Sequence, residues 1–138
     1  MALDELFLRF RFDISDTIYI VSDMQANIRI QTIDKKIETV KAELLALGEM
    51  RPGSITKQYN VCGKAHCRCK DPQNPRRHGP YYKLSYAHKG KFTTQFIRKE
   101  ALAQVRTELA NYKRFRQLSA RLIDLSLQRA KLKLSLLP

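Results

Sequence analysis

From Ile30 onward the apolar positions fall at Ile30, Ile33, Ile37, Val40, Leu44 and Leu47, in alternating steps of three and four. That spacing keeps one stripe on one side of a helix, while Asp34, Lys35, Lys36, Glu38, Lys41 and Glu43 make the solvated side. Asp16 or Asp23 can cap its start, and Gly48 or the stretch "RPGS" ends it. A second amphipathic run carries Leu102, Val105, Leu109, Tyr112, Phe115, Leu118, Leu122, Leu125, Leu132 and Leu136. Its spacing is close to a heptad, with two successive steps of three between Tyr112 and Leu118, and Arg129 takes a stripe position.

Two long amphipathic helices separated by a compact segment fold back most economically as an antiparallel pair. The expected fold is therefore α+β, mainly α: a coiled-coil-like stalk of two long helices, with a small head inserted between them. The expected boundaries are an N-terminal arm at 1–23, a first stalk helix at 24–49, a head at 50–98 and a second stalk helix at 99–137. In the arm, "LFLRFRFDI" suits a strand at Phe10, Phe12 and Ile14, and equally a helical face of Leu3, Leu6, Phe7 and Phe10. Ile123, Leu127, Leu134 and Leu137 widen the second stripe beyond what one partner helix covers. This favours a homodimer through the helices over a monomer whose last turn frays.

Within the head, "PYYKLSYAHKGKFTTQFI" alternates β-branched and aromatic residues around Lys89 and Gly90, which predicts a β-hairpin over 81–97. A two-residue turn would pair Tyr86 with Thr93 and Tyr82 with Ile97, mixing the faces. A three-residue loop, His88 to Gly90, would pair Tyr86 with Phe92 and Tyr82 with Phe96. The second register is the expected one. It gives a dry face of Tyr82, Leu84, Tyr86, Phe92 and Phe96, opposite a polar face of Tyr81, Lys83, Ser85, Lys91, Thr93 and Gln95.

All three cysteines of the 138 residues lie within eight positions, Cys62, Cys67 and Cys69, in the pattern C-x4-C-x-C, and His78 follows. Their number is odd, so intrachain cross-links do not hold the fold and a reducing compartment is expected. Thiolates and imidazole suit zinc, and Cys62, Cys67, Cys69 and His78 would fill a tetrahedral shell with no open position. His66 is the rival fourth ligand, geometrically awkward beside Cys67. The pair C-x-C is less common in zinc sites than C-x-x-C, because neighbouring side chains on an extended strand diverge. The competing reading is three free thiols, but amid Lys64, Arg68 and Lys70 these would be acidified and prone to oxidation. One structural Zn2+ is expected, since a catalytic ion wants an open position and a base, and Asp71 is the head's one carboxylate.

Charge sharpens this picture. The formal +13 divides into −3 over residues 1–50, +11 over 51–99 and +5 over 100–138. Such a field on a compact module binds phosphates through counterion release. The expected nucleic-acid contacts are Lys57, Lys64, Arg68, Lys70, Arg76, Arg77, Lys83, Lys89 and Lys91. A two-stranded ribbon fits a major groove, and with most aromatics on the dry face only Tyr59 and Tyr81 remain for stacking. Duplex DNA is thus expected over RNA or single strands. The alternative is a protein-interaction adaptor whose helices recruit a partner without nucleic acid.

No glycine-rich phosphate loop, paired carboxylates or nucleophile beside a base is visible, so no enzyme and no small-molecule substrate are expected. The charged opening "MALDELFLRFRF" lacks the run of a secretory signal, and no segment reaches the ~18 apolar residues of a membrane span. The expectation is a cytoplasmic protein of the prokaryotic cytosol or nucleoid, without membrane contact.

The run from "PGSITKQYNVCGKAHCRCK" through "RRHGPYYKLSYAHKGKFTTQFI" to "NYKRFRQL" resembles an uncharacterised family of small bacterial and archaeal proteins. The family's core reads P-G-S/T, C-G-x-x-x-C-x-C, H-G-P-Y, a G-K hairpin and a helix with N-Y-x-x-F/L-R. The likeness covers about Leu44 to Leu127. It implies that Cys62, Cys67, Cys69 and His78 belong together and that position 66 is free to vary. It implies no activity.

Overall fold

A computed structural model describes residues 14–137, with side chains described from Ile18. The strand-or-helix question over Leu3 to Phe12 lies outside the described residues. Helix α1 spans Ile14–Leu45 and helix α2 spans Leu102–Leu134, with a short 3-10 turn, Lys99–Ala101, leading into α2. Three strands lie between them, β1 (Ser54–Asn60), β2 (His78–His88) and β3 (Lys91–Ile97), in an antiparallel sheet of order β1-β2-β3. The described residues are α+β, with two long helices and one three-stranded sheet.

Helix α1 begins before the stretch where the apolar spacing is regular, close to Asp16, the earlier of the two expected starts, so residues 14–23 are helical. Its first turns bury little: Ile18, Tyr19, Ile20, Val21, Met24 and Ile28 are exposed, and burial begins at Ile30. Sustained helix over such a segment follows from propagation, which adds one hydrogen bond for each residue fixed once a nucleus exists.

The chain divides into two compact units, one of residues up to Leu45 with those from Leu118 on, the other Ala46–Gln117. In the first, Ile30, Ile33, Ile37 and Val40 of α1 and Leu118 and Leu125 of α2 are buried. Arg129, which interrupts the stripe, is accounted for by an ion pair. Its Nε donates to Asp34 Oδ1 and its Nη2 to Asp34 Oδ2, the latter at 3.5 Å.

In the second unit the buried residues are Leu84, with 0% of its surface exposed, Leu102, Val105 and Glu108 of α2, and Cys69. The buried acid is the surprise. At this turn the apolar pattern points to Leu109, which is half-buried, while Glu108 retains only 4% exposure. Glu108 is fully partnered: Arg51 Nε pairs with its Oε2, Gln104 Nε2 donates to its Oε1 at 2.9 Å, and Arg51 N donates to its carbonyl at 3.3 Å. Three residues on, Asn111 Nδ2 donates to the Glu49 carbonyl at 2.9 Å. Together these bonds fasten the approach to β1 onto α2.

The hairpin register differs from the expected one. Tyr82 pairs with Ile97, Leu84 with Gln95, Tyr86 with Thr93 and His88 with Lys91, so the turn is the two-residue Lys89-Gly90. Both turn residues have positive φ, 48° and 75°, the signature of a type I′ turn, whose twist matches that of the flanking strands. Gly90 adopts that region without a Cβ penalty. Weighing the aromatics as if they must share a face missed this local preference.

The shift by one position moves every β3 side chain to the other face. Lys91, Thr93, Gln95 and Ile97 join Leu84, Tyr82 and Tyr86, and Phe92 and Phe96 leave the dry face, with 70% and 66% of their surfaces exposed. Strand β1 carries no apolar alternation that would announce it, since "SITKQYN" is mostly polar. It pairs Ile55 with Leu84 and Lys57 with Tyr82, extending the covered face beside the hairpin.

Candidate metal centre

Four side chains from three local structures converge at one end of the sheet. Cys62 lies just after β1, Cys67 precedes and Cys69 sits within a 3-10 turn at Arg68–Lys70, and His78 is the first residue of β2. Their ligand atoms all lie within 4.8 Å of one another. Cys62 Sγ and Cys69 Sγ are 3.6 Å apart, and Cys67 Sγ and His78 Nε2 are 3.1 Å apart. Two sulfurs each at the usual zinc distance in a tetrahedron lie ~3.8 Å apart, so the spacing is that of a shell around one ion.

The turn explains how C-x-C converges. Cys67 is extended (φ −83°, ψ 144°), and the chain then tightens into the 3-10 turn, closed by Lys70 N donating to the Cys67 carbonyl at 2.8 Å. The two sulfurs are therefore not on one strand, where they would diverge. Arg76 N donates to the Arg68 carbonyl at 2.9 Å, which returns the chain toward β2. Asp71 Oδ1 caps the intervening loop by accepting from Gln73 N at 2.8 Å and Asn74 N at 3.1 Å. Those two backbone donors also hold its carboxyl below the ordinary carboxylate range.

Gly79 sets the entry to β2. Its φ is +135°, and a Cβ there would stand 2.8 Å from the Gln58 carbonyl oxygen, a backbone atom with no freedom to yield. The residue after His78 must therefore lack a side chain if β1 and β2 are to close beside the cysteine–histidine cluster.

The sulfur electrostatics suit a cation. Cys67 is lowered to about 6, first by the Cys69 backbone N–H, then by the Cys62 and Cys69 side chains, with His78 adding to the effect. Cys69 is 3% exposed, and its burial first of all pushes its thiol up. The Cys62 backbone N–H points at Cys69 Sγ at 3.4 Å, as N–H groups do around metal thiolates. His66 is exposed and stands outside the cluster.

The nine basic positions do not share one plane. Lys64, Arg68, Lys70, Arg76 and Arg77 are exposed on the loops around the cysteines. Lys57 on β1 and Lys91 on β3 lie on the Leu84 side, Lys83 is half-buried on the other face, and Lys89 is exposed in the turn. Lys57 Nζ sits 5.4 Å from the centre of the Tyr59 ring. Among the described residues none of the nine forms an ion pair with a carboxylate.

No curated protein and no solved structure shows significant similarity to the chain. Residues 30–107, more than half of the chain, match a family described as a domain of unknown function, DUF6788, and that stretch contains the whole cluster, the sheet and the start of α2. The protein belongs to the DUF6788 family.

Proposed function

We propose that this is a nucleic-acid-binding protein whose sheet-bearing module is organised by one structural Zn2+ held by Cys62, Cys67, Cys69 and His78. The observation that carries the reading is the +11 over residues 51–99, on the module that also holds the cluster, where none of the nine basic positions named above forms an ion pair with a carboxylate among the described residues. Three sulfurs and an imidazole favour zinc over hard cations, and four protein ligands leave no position for a reacting water. The ion then supplies folding energy where apolar residues are few.

The helices serve assembly in this reading. Asp34 paired with Arg129 supports an antiparallel, coiled-coil-like stalk. Exposed Ile123, Leu127 and Leu134 on α2, with Ile18, Val21 and Ile28 on α1, supply an apolar surface for a second copy. Light scattering should then report about twice the chain mass of 16.1 kDa. The same surface would serve an adaptor, the competing reading. A monomer that captures another protein after nuclease treatment, and shifts no nucleic acid, would favour that one.

The decisive experiment is a binding titration with labelled oligonucleotides across salt, alongside metal analysis of wild type and Cys69→Ser. Expected are one zinc per chain, its loss in the variant, and affinity that falls steeply as salt rises. Absence of binding at low salt, or binding indifferent to salt, would remove the proposal.

A further inference from the structure

The corrected hairpin register leaves one sheet face open. Alternation places Ser54, Thr56 and Gln58 of β1, Tyr81, Lys83, Ser85 and Ala87 of β2, and Phe92, Thr94 and Phe96 of β3 on the side away from buried Leu84. Tyr81, Phe92 and Phe96 are 43%, 70% and 66% exposed. Covering one phenylalanine is worth about 1.5–3 kcal/mol. A fold that builds two into a regular strand and leaves both open has a surface waiting for a flat apolar partner.

We infer that the sheet face bearing Tyr81, Phe92 and Phe96 is a stacking surface for unpaired bases of single-stranded nucleic acid. The inference rests on the nucleic-acid reading above and narrows it. Its first ground is shape. Phe92 and Phe96 are four residues apart on β3, roughly 13 Å along the strand. Tyr81 is a diagonal neighbour of Phe96 across the β2–β3 pair, at roughly 7–8 Å. Three rings at such intervals can each receive one base of an extended strand. A duplex offers side chains only base edges and backbone, because its bases already stack on one another. Expecting a duplex depended on burying Phe92 and Phe96, and their exposure withdraws that support.

Charge is the second ground. Between the rings lie hydroxyls, an amide and the Lys83 ammonium, with Ser85 Oγ and Thr94 Oγ1 3.2 Å apart at the centre, and none of the ten positions is acidic. A second copy laid on this face would set its own +11 segment against this one, so self-association is disfavoured here. A polyanion with aromatic bases satisfies both the rings and the field.

The test uses the full zinc-loaded chain with a fluorescent 20-nucleotide oligothymidine and a 20-base-pair duplex at matched salt. Phe92→Ala with Phe96→Ala should weaken single-strand binding about tenfold or more for each ring lost, while duplex binding and zinc content stay within a few-fold of wild type. The Tyr double variant should retain binding, since its rings still stack. The chain has no tryptophan, so Phe96→Trp creates a single reporter, whose emission should be quenched by oligothymidine. Equal loss on both probes, no loss on either, or an unquenched tryptophan overturns the inference while leaving the broader reading standing. Failure to bind either probe at low salt removes both. Ring-dependent binding to anionic lipid vesicles, with none to the oligonucleotide, overturns the inference in favour of a membrane surface.

Discussion

Cys67 and Cys69 are two residues apart and are perturbed in opposite senses, because one sulfur receives N–H donors at the rim and the other is buried. A thiol depressed in the folded state stabilises it fully above the unfolded value, here 9.0, and that contribution is lost as pH falls through the folded value of about 6. In the folded protein, iodoacetamide should therefore modify Cys67 ahead of buried Cys69 at neutral pH, with the rate falling as pH drops through about 6. Peptide mapping by mass spectrometry that finds Cys69 reacting first would contradict the geometry. Gly79 gives a second prediction at this scale. Gly79→Ala must hold an L side chain at φ +135° against the Gln58 carbonyl, and a denaturant titration should show a loss of about 1–3 kcal/mol. The three cysteines were legible as one cluster from their spacing, with His66 and His78 as rivals to join them; the fold brings His78 to the cluster, and the convergence of Cys67 with Cys69 became intelligible only with the 3-10 turn between them.

At the scale of elements, two ion pairs join distant segments but differ in burial. The Asp34–Arg129 pair is between half-open side chains on two helices, so Arg129→Ala should cost under about 1 kcal/mol. Arg51→Ala would leave Glu108 buried with Gln104 as its remaining side-chain donor, and should cost about 1–3 kcal/mol in thermal or urea unfolding. The order of the two effects is the check. In the hairpin, Lys89 is a non-glycine residue at φ 48°, where asparagine is better tolerated. Lys89→Asn should raise the unfolding midpoint slightly while removing one positive charge. The helices were readable because Ile30, Ile33, Ile37 and Val40 announce a face by spacing alone. Strand β1 was not, since a polar strand such as "SITKQYN" differs little from a loop until a neighbour pairs with it.

Across the molecule, the unit of Ala46–Gln117 combines a small apolar core with an excess of positive charge, and self-repulsion weakens such a unit. Metal ligation by the cysteine–histidine cluster, as proposed above, would offset that weakness. Removing the ion with a strong chelator should therefore abolish the near-ultraviolet dichroism of the sheet tyrosines and phenylalanines, with much of the helical far-ultraviolet signal retained. Restoring one equivalent of zinc should bring the signal back. An unchanged near-ultraviolet spectrum after complete metal removal would show that the sheet stands without an ion. No helix among the described residues is long and apolar enough to cross a membrane.

The sequence by itself determined the two helices, the cysteine–histidine set and the concentration of charge. Each is carried by spacing or composition within a short segment, and the physics that reads it is local. Tertiary structure alone decided that Glu108 rather than Leu109 is buried, because the answer depends on Arg51 arriving from another part of the chain. It also decided which way Phe92 and Phe96 face. A strand with side chains able to serve either face takes its register from its turn and its neighbours, and a shift of one position exchanges the inner surface for the outer one.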